Sequence, residues 1–139
     1  MNLLILYWSQ TGNTEKMAQI IKEECESKGS KVEMVFSDDY KNYDIDNFDV
    51  IAFGCPAMGD EELEDTSFEP MFSDLENTLS DKKIALFGSY EWNNGEWMGF
   101  WKERCSKNNL NVIDTVICYD TPDENSTADI KKFADNLLK

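Results

Sequence analysis

The chain has no histidine and only one arginine, Arg104, among its 139 residues. Histidine is the commonest general base, the usual partner of a nucleophilic serine or cysteine, and a frequent metal ligand, so its absence disfavours catalysis by side chains alone. The cysteines at 25, 55, 105 and 118 form no Cys-x-x-Cys pair, so no zinc or iron–sulfur site is indicated. We expect reduced and mostly buried thiols.

Long apolar runs are also missing. The only apolar run near the start covers six residues, 3–8, with no basic segment before it and no cleavage site after it. This pattern fits neither a signal peptide nor a membrane span, so we expect a cytoplasmic protein. The hydrophobic content of 41% is enough for a sizeable core, and no linker or repeat interrupts the chain. We therefore predict a single domain over residues 1–139.

Positive charge is scarce: the chain has 28 acidic and 13 basic residues, which gives a net charge of −15. Such a chain is repelled by nucleic acid and by anionic membranes, while a partner protein with a basic face is attracted to it. A simpler explanation, that the charge only keeps the protein soluble, stays open at this point.

What the sequence does have is a polar loop directly after the first apolar run. Residues 9–14 read Ser-Gln-Thr-Gly-Asn-Thr and precede a helix-like stretch. Backbone N–H groups and the positive end of the helix dipole converge at such a turn, and its hydroxyl and amide side chains add neutral donors for a monophosphate. The alternative is that Asn13 or Thr14 simply caps the helix. Neither a Walker loop nor a three-glycine dinucleotide fingerprint is present.

Strand-like and helix-like segments alternate along the chain. The predicted strands are 3–8, 31–36, 49–55, 83–90 and 111–118, and the predicted helices are 15–27, 68–79, 96–107 and 127–138, the last one capped by Ser126. Nearly continuous apolar strands are typical of a parallel sheet covered on both faces. The prediction is an α/β fold, an open doubly wound five-stranded parallel sheet.

Helical spacing assigns two apolar stripes to the core rather than to a cofactor. The stripes are Trp97, Phe100, Trp101 and Cys105 in one helix and Ile130, Phe133, Ala134, Leu137 and Leu138 in the other.

Two further loops follow the third and fourth strands, at 54–62 and 88–97. In a doubly wound sheet they share one rim with the phosphate loop, so the three loops surround one crevice. Met58 and Trp92 would then sandwich a flat aromatic ring. Taken singly, Met58 reads as a core filler and Trp92 as a half-buried surface residue.

Five segments of the chain form a recognisable combination. They are Tyr7-Trp8-Ser9 through Thr14-Glu15-Lys16-Met17, Ala57-Met58-Gly59-Asp60-Glu61, Ala85 through Tyr90, Trp92 with Gly95 and Trp97-Met98, and Pro122-Asp123-Glu124. In these segments the chain resembles the short-chain, clostridial-type flavodoxins. The resemblance implies the strand order 2-1-3-4-5 and non-covalently bound FMN.

The resemblance also implies roles for residues. The phosphate would lie at residues 9–14, Met58 against the inner ring face, Trp92 over the outer face, and Glu61 would accept a hydrogen bond from ring N3–H. The peptide linking Gly59 and Asp60 would turn over with the first electron and point its carbonyl at N5. The full predicted cofactor-binding set is Ser9, Gln10, Thr11, Gly12, Asn13, Thr14, Pro56, Ala57, Met58, Gly59, Asp60, Glu61, Ser89, Tyr90, Glu91, Trp92, Asn93, Tyr119 and Asp120.

The chain departs from the family pattern at three places. Pro56 stands where relatives often have serine, which removes one hydroxyl donor near the phosphate. Around Trp92, Glu91-Trp92-Asn93-Asn94-Gly95 replaces Gly-Trp-Gly-Asp-Gly, so two flexible glycines are lost. Tyr119 and Asp120 occupy the loop in which relatives place amides near the ribityl chain.

The function implied is that of a low-potential one-electron carrier, which cycles FMN between semiquinone and hydroquinone and is not an enzyme. Its partners would be basic-faced redox proteins such as ferredoxin-type oxidoreductases, and the chain would act as a monomer. A flavin-dependent reductase of the same fold is the alternative. A phosphoacceptor domain is disfavoured because Gly54-Cys55-Pro56 replaces the aspartate it needs, and a thiol phosphatase because Arg104 lies far from Cys55 in sequence.

Overall fold

Parallel strands alternate with helices through all 139 residues, which the computed structural model describes in full. The strands are β1 Asn2–Tyr7, β2 Lys31–Phe36, β3 Val50–Gly54, β4 Lys83–Tyr90 and β5 Asn111–Tyr119. The helices are α1 Asn13–Ser27, α2 Phe68–Leu75, α3 Glu96–Lys107 and α4 Glu124–Leu137. Short 3₁₀ turns lie at Ser37–Asn42, Ile45–Asn47 and Glu76–Thr78.

All four strand pairs of the sheet are parallel, and the strand order is β2-β1-β3-β4-β5. Within the sheet, Ile5 of β1 lies between Met34 of β2 and Ala52 of β3. The strand order reverses at β1, and the carboxyl ends of β1 and β3 lie side by side there. This is the position at which ligands bind in doubly wound sheets. The predicted fold class and strand order are confirmed.

Both faces of the sheet are buried, because alternate side chains of each strand point to opposite sides. On one face Leu4 and Leu6 pack in a cluster with α2 and α3. On the other face Leu3 and Ile5 pack with α1 and α4. The first face is rich in aromatic residues, with edge-to-face contacts among Phe53, Phe68, Phe72 and Trp101. The continuous apolar runs of β1 and β3 follow from this two-sided burial.

Three local expectations were wrong. The predicted helix 68–79 ends at Leu75 and continues as a 3₁₀ turn. The last helix starts at Glu124, not at 127, because Asp123 is its N-cap and Ser126 completes a capping box from inside the first turn. Phe100 is 55% exposed and lies outside the core, although its stripe partners Trp97, Trp101 and Cys105 are buried.

All four cysteines are buried and unpaired, as expected for reduced thiols. Burial raises the pKa of Cys25 and of Cys105 to about 11, so both thiols stay protonated and unreactive at neutral pH. None of the helices has the length and hydropathy of a membrane span.

The loops after β3 and β4 are held together by close backbone approach at Gly88. A Cβ atom at Gly88 would overlap the Cys55 carbonyl oxygen and would lie 2.9 Å from Cζ2 of Trp97. The same carbonyl accepts a hydrogen bond from the Trp97 indole at 3.3 Å. The absence of a side chain at Gly88 therefore sets the distance between the two loops that border the cleft.

We expect Gly88→Ala to lower the free energy of unfolding by at least about 2 kcal/mol, since overpacking forces the backbone of a buried site apart. The matched control is Gly99→Ala, at an exposed position of α3 where a Cβ would meet nothing within 4 Å. That change should raise stability by up to about 1 kcal/mol through helix propensity. Urea unfolding measures both, and equal stability of the two variants would contradict the close approach.

Candidate functional site

The loop between β1 and α1 is organised by Ser9. Its Oγ accepts hydrogen bonds from the backbone N–H of Gly12 at 3.2 Å and of Glu15 at 3.3 Å. Gly12 occupies the N-cap position and has no side chain to cap α1, so the first-turn N–H of Glu15 is bonded by Ser9 instead. The alternative interpretation, in which Asn13 or Thr14 serves as the helix cap, is therefore wrong.

Several donors of this loop have no acceptor within the protein. They are the backbone N–H groups of Gln10, Thr11, Asn13 and Thr14. These groups lie at the N-terminus of a 15-residue helix, where the helix dipole also favours negative charge. The Thr11 hydroxyl makes no hydrogen bond, whereas Thr14 Oγ1 lies 2.7 Å from Oγ of Ser89 on β4. The loop thus offers a group of unused neutral donors to an anion.

The three predicted loops do border one cleft. Its lining consists of Trp8, Ser9, Gln10, Thr11, Thr14, Pro56, Ala57, Met58, Ser89, Tyr90, Glu91 and Trp92. Trp8 is the residue that the predicted set lacks. The predicted strand 3–8 includes Trp8, but β1 ends at Tyr7 and Trp8 already belongs to the loop. The sequence signal for Trp8 is its position directly before Ser9.

Asn13 connects the first loop to two others. Its Nδ2 donates to Asp120 Oδ1 at 3.3 Å and to Glu91 Oε1 at 3.5 Å, and its Oδ1 accepts from Thr121 Oγ1 at 2.9 Å. Asp120 therefore lies beside the α1 N-terminus, at a left-handed φ of 57°. Tyr119 packs its ring against Tyr90 at 5.5 Å. The predicted residues after β5 thus adjoin the cleft through these neighbours.

The loop after β3 makes a tight turn. Met58 and Glu62 exchange two backbone hydrogen bonds of 2.9 Å each, and Gly59, Asp60 and Glu61 form the turn between them. Gly59 has a φ of 46° and Glu61 a φ of 64°. A Cβ at Gly59 would meet nothing within 4 Å, so the space around this residue is open.

This turn is bonded to the loop after β4. Glu61 accepts hydrogen bonds from the backbone N–H of Asn94 at 3.1 Å and of Trp97 at 2.5 Å, which places its carboxylate at the N-terminus of α3. Asn93 Nδ2 donates to the Gly59 carbonyl at 3.1 Å. Each Glu61 oxygen keeps a further lone pair, so the carboxylate can still accept another hydrogen bond.

The two predicted ring-stacking residues both line the cleft, but their surroundings differ. Met58 is half-buried, whereas Trp92 is 74% exposed. Trp92 makes no aromatic contact with another residue, in contrast to Tyr90, whose ring packs against Trp97 at 5.7 Å. An indole with so little contact is available to a ligand that enters the cleft.

Glu64, on the same loop, turns out to be a structural residue. It is buried, and its carboxylate accepts hydrogen bonds from the backbone N–H of Thr66, Ser67 and Phe68 and from the Thr66 hydroxyl. Burial alone would raise the pKa of Glu64, but these hydrogen bonds outweigh it, so the pKa lies below the usual value. Glu64 thereby fixes the start of α2.

The fold and the cleft define a class: a doubly wound α/β protein with a loop of unpaired N–H donors at the switch point and, beside it, a cleft bordered by an exposed indole. A sequence model of the family described as Flavodoxin matches residues 5–133. The chain is 50% identical over 119 residues to a flavodoxin of Megasphaera elsdenii, with 86% of this chain and 87% of that protein covered. It is 42% identical over 121 residues to a flavodoxin of Clostridium beijerinckii, with 86% and 88% covered.

Solved structures agree with this assignment. The solution structure of two-electron reduced M. elsdenii flavodoxin has a TM-score of 0.80 at 42% identity and covers 95% of this chain and 97% of its own. The crystal structure of oxidised flavodoxin 2 from Bacillus cereus has a TM-score of 0.86 at 27% identity, with 99% and 98% covered. The chain belongs to the flavodoxin family. It is an FMN-dependent electron carrier and not an enzyme, so the reductase alternative is not favoured.

Glu64 generates a prediction about acid stability. A carboxyl group whose pKa is depressed by folding stabilises the protein above its unfolded pKa of about 4.3, and that contribution disappears as the pH falls through the folded pKa. At neutral pH we expect Glu64→Gln to cost about 1–3 kcal/mol, because an NH2 donor replaces one of the two acceptor oxygens and leaves the donors bonded to that oxygen without an acceptor. The difference from the wild type should shrink in acid.

Urea unfolding of both proteins between neutral and acidic pH measures this effect. Asp65→Asn removes the neighbouring charge from an exposed side chain with no hydrogen bond, so it is the matched control and should leave the pH dependence as in the wild type. A constant difference between Glu64→Gln and wild type at all pH values would contradict the assignment.

Proposed function

We propose that this chain holds FMN in the cleft, with the phosphate at the loop of residues 9–14 and the ring between Met58 and Trp92. The observation that carries the proposal is the set of unused backbone N–H donors at the start of α1. These donors lie at one side of the cleft, and the exposed indole of Trp92 lines the same cleft. Bound FMN supplies the redox chemistry, because it accepts and releases single electrons.

The phosphate would be held by neutral donors. No lysine or arginine lines the cleft, so the free N–H groups of residues 10, 11, 13 and 14, with the Ser9 and Thr11 hydroxyls, would provide the hydrogen bonds. Hydrogen bonds to a charged acceptor are worth about 1.5–3 kcal/mol each, so several of them compensate for the missing cation. Pro56 adds no donor.

The ring would be held by contact and by hydrogen bonds at its edge. Met58 and Trp92 offer a thioether and an indole, both of which pack well on aromatic faces. Glu61, oriented by the start of α3, would use its remaining lone pairs to accept from ring N3–H. The Gly59 carbonyl would turn to accept a hydrogen bond from N5–H after the first electron, and the open space around Gly59 favours such a turn.

The charges near the cleft would lower the potential of any step that adds negative charge. Asp60, Glu62 and Glu91 are exposed around it, whereas the Glu64 carboxylate is hydrogen-bonded to the backbone at the start of α2. About 0.5 kcal/mol from each partly screened carboxylate shifts such a step by tens of millivolts, since about 1.4 kcal/mol corresponds to about 59 mV for one electron. A low potential for the second electron follows.

The same negative surface would select the partners. With a net charge of −15, a basic-faced redox protein, such as a ferredoxin-type oxidoreductase, would be attracted at a rate that falls with added salt. The protein would work as a cytoplasmic monomer, built as a single domain.

The phosphate loop is tested by Thr11→Val. Loss of one hydroxyl donor to a dianion should weaken FMN binding at least tenfold, whereas riboflavin, which has no phosphate, should lose less than about twofold. Quenching of flavin fluorescence during titration measures both affinities. Thr127→Val on α4, at a position that does not line the cleft, should change neither. Equal losses for FMN and riboflavin would contradict a phosphate at this loop.

The stacking role is tested by Trp92→Ala. We expect the affinity for FMN to fall at least tenfold, because ring stacking and apolar contact are lost, while the free energy of unfolding without FMN changes by less than about 0.5 kcal/mol. Phe100→Ala removes an aromatic residue that is also exposed but lies outside the cleft, and it should leave the affinity unchanged. Wild-type affinity in Trp92→Ala would exclude the stacking role.

A further inference from the structure

Asn93 makes one hydrogen bond across the cleft loops and leaves one buried atom without a partner. Its Nδ2 donates to the Gly59 carbonyl at 3.1 Å. Its Oδ1 is buried and accepts no hydrogen bond. A buried carbonyl oxygen without a donor costs free energy, so an unsatisfied oxygen beside a functional loop calls for an explanation.

The explanation lies in the peptide that Asn93 contacts. In a trans peptide the C=O and the N–H lie in one plane and point in opposite directions. When the peptide linking Gly59 and Asp60 turns over, its carbonyl therefore points away from Asn93, and the Asp60 N–H points toward Asn93. A side-chain amide carries a donor at one end and an acceptor at the other. Rotation of the Asn93 amide by about 180° would present Oδ1 to that N–H.

The surroundings allow the turn. The Asp60 N–H donates to no acceptor within the protein, and the space around Gly59 is open. The bonds between Met58 and Glu62 and between Glu61 and α3 fix both ends of the turn, so the peptide can change orientation without displacing the loop.

We propose that Asn93 is a positioning residue for the Gly59–Asp60 peptide, donating through Nδ2 in one orientation and accepting through Oδ1 in the other. The inference rests on the proposed function, in which this peptide turns with the first electron and the proton that accompanies it at N5.

The test is Asn93→Asp, with Asn94→Asp as the matched control. A carboxylate can only accept, so Asn93→Asp removes the bond to the Gly59 carbonyl and keeps an acceptor for the Asp60 N–H. Asn94 is exposed and its side chain makes no hydrogen bond, so Asn94→Asp adds the same charge without this contact. Both one-electron potentials of the FMN-loaded proteins are measured by reductive titration with redox dyes.

We expect the equilibrium constant for uptake of the first electron to be tenfold higher in Asn93→Asp than in Asn94→Asp. This corresponds to a first potential that is higher by about 59 mV. Asn93→Leu loses both hydrogen bonds and should shift the first potential by less than about twofold in equilibrium constant. Equal first potentials in the two aspartate variants would overturn the inference. If the first potential rose as much in Asn93→Leu as in Asn93→Asp, the proposed role of Oδ1 as an acceptor would be overturned.

A second readout does not depend on FMN. Magnetic resonance of the full chain should show scalar coupling between Asn93 Nδ2 and the Gly59 carbonyl carbon, and its absence would also overturn the inference. FMN binding to the wild type is measured first. A wild type without affinity for FMN overturns both the proposed function and this inference, whereas normal binding with equal aspartate variants overturns the inference alone.

Discussion

The site depends on backbone hydrogen bonds that continue the parallel sheet beyond the ends of its strands. Trp8 N–H donates to the Gly54 carbonyl at 2.9 Å, Cys55 N–H to the Phe87 carbonyl at 3.1 Å, and Ala57 N–H to the Ser89 carbonyl at 3.0 Å. Through them the loops after β1, β3 and β4 leave the sheet in fixed register. The cleft is thus an extension of the sheet rather than a gap between independent loops, and the unused donors of the first loop face a rigid frame.

The fold was predictable because its causes are local in sequence. Continuous apolar strands such as 3–7 and 50–54 indicate burial on both faces of the sheet, and residues 9–14 indicate the turn into α1. The errors arose where a tertiary contact overrides a local pattern. Phe100 has the spacing of a core residue, yet α3 presents it to solvent, and Asp123 takes the cap position that Ser126 was expected to fill.

The contacts between loops were beyond the reach of the sequence. Glu61 at the start of α3, Asn93 at Gly59 and Asn13 at Asp120 each join residues more than 30 positions apart. Residue types alone do not reveal which donor meets which acceptor, because many pairings satisfy the same groups.

The loop after β3 shows that the acidic composition is not only a matter of surface charge. Its carboxylates Glu64 and Glu61 sit at the N-termini of α2 and α3, where the helix dipoles stabilise negative charge. Both helices cover the same face of the sheet, so one loop anchors that layer while it forms the turn beside the cleft. The negative field available to a partner therefore comes from the exposed carboxylates that remain, such as Asp60, Glu62 and Glu91. Part of the net charge serves the fold, and under the proposed function the part that lies around the cleft would attract a basic-faced partner.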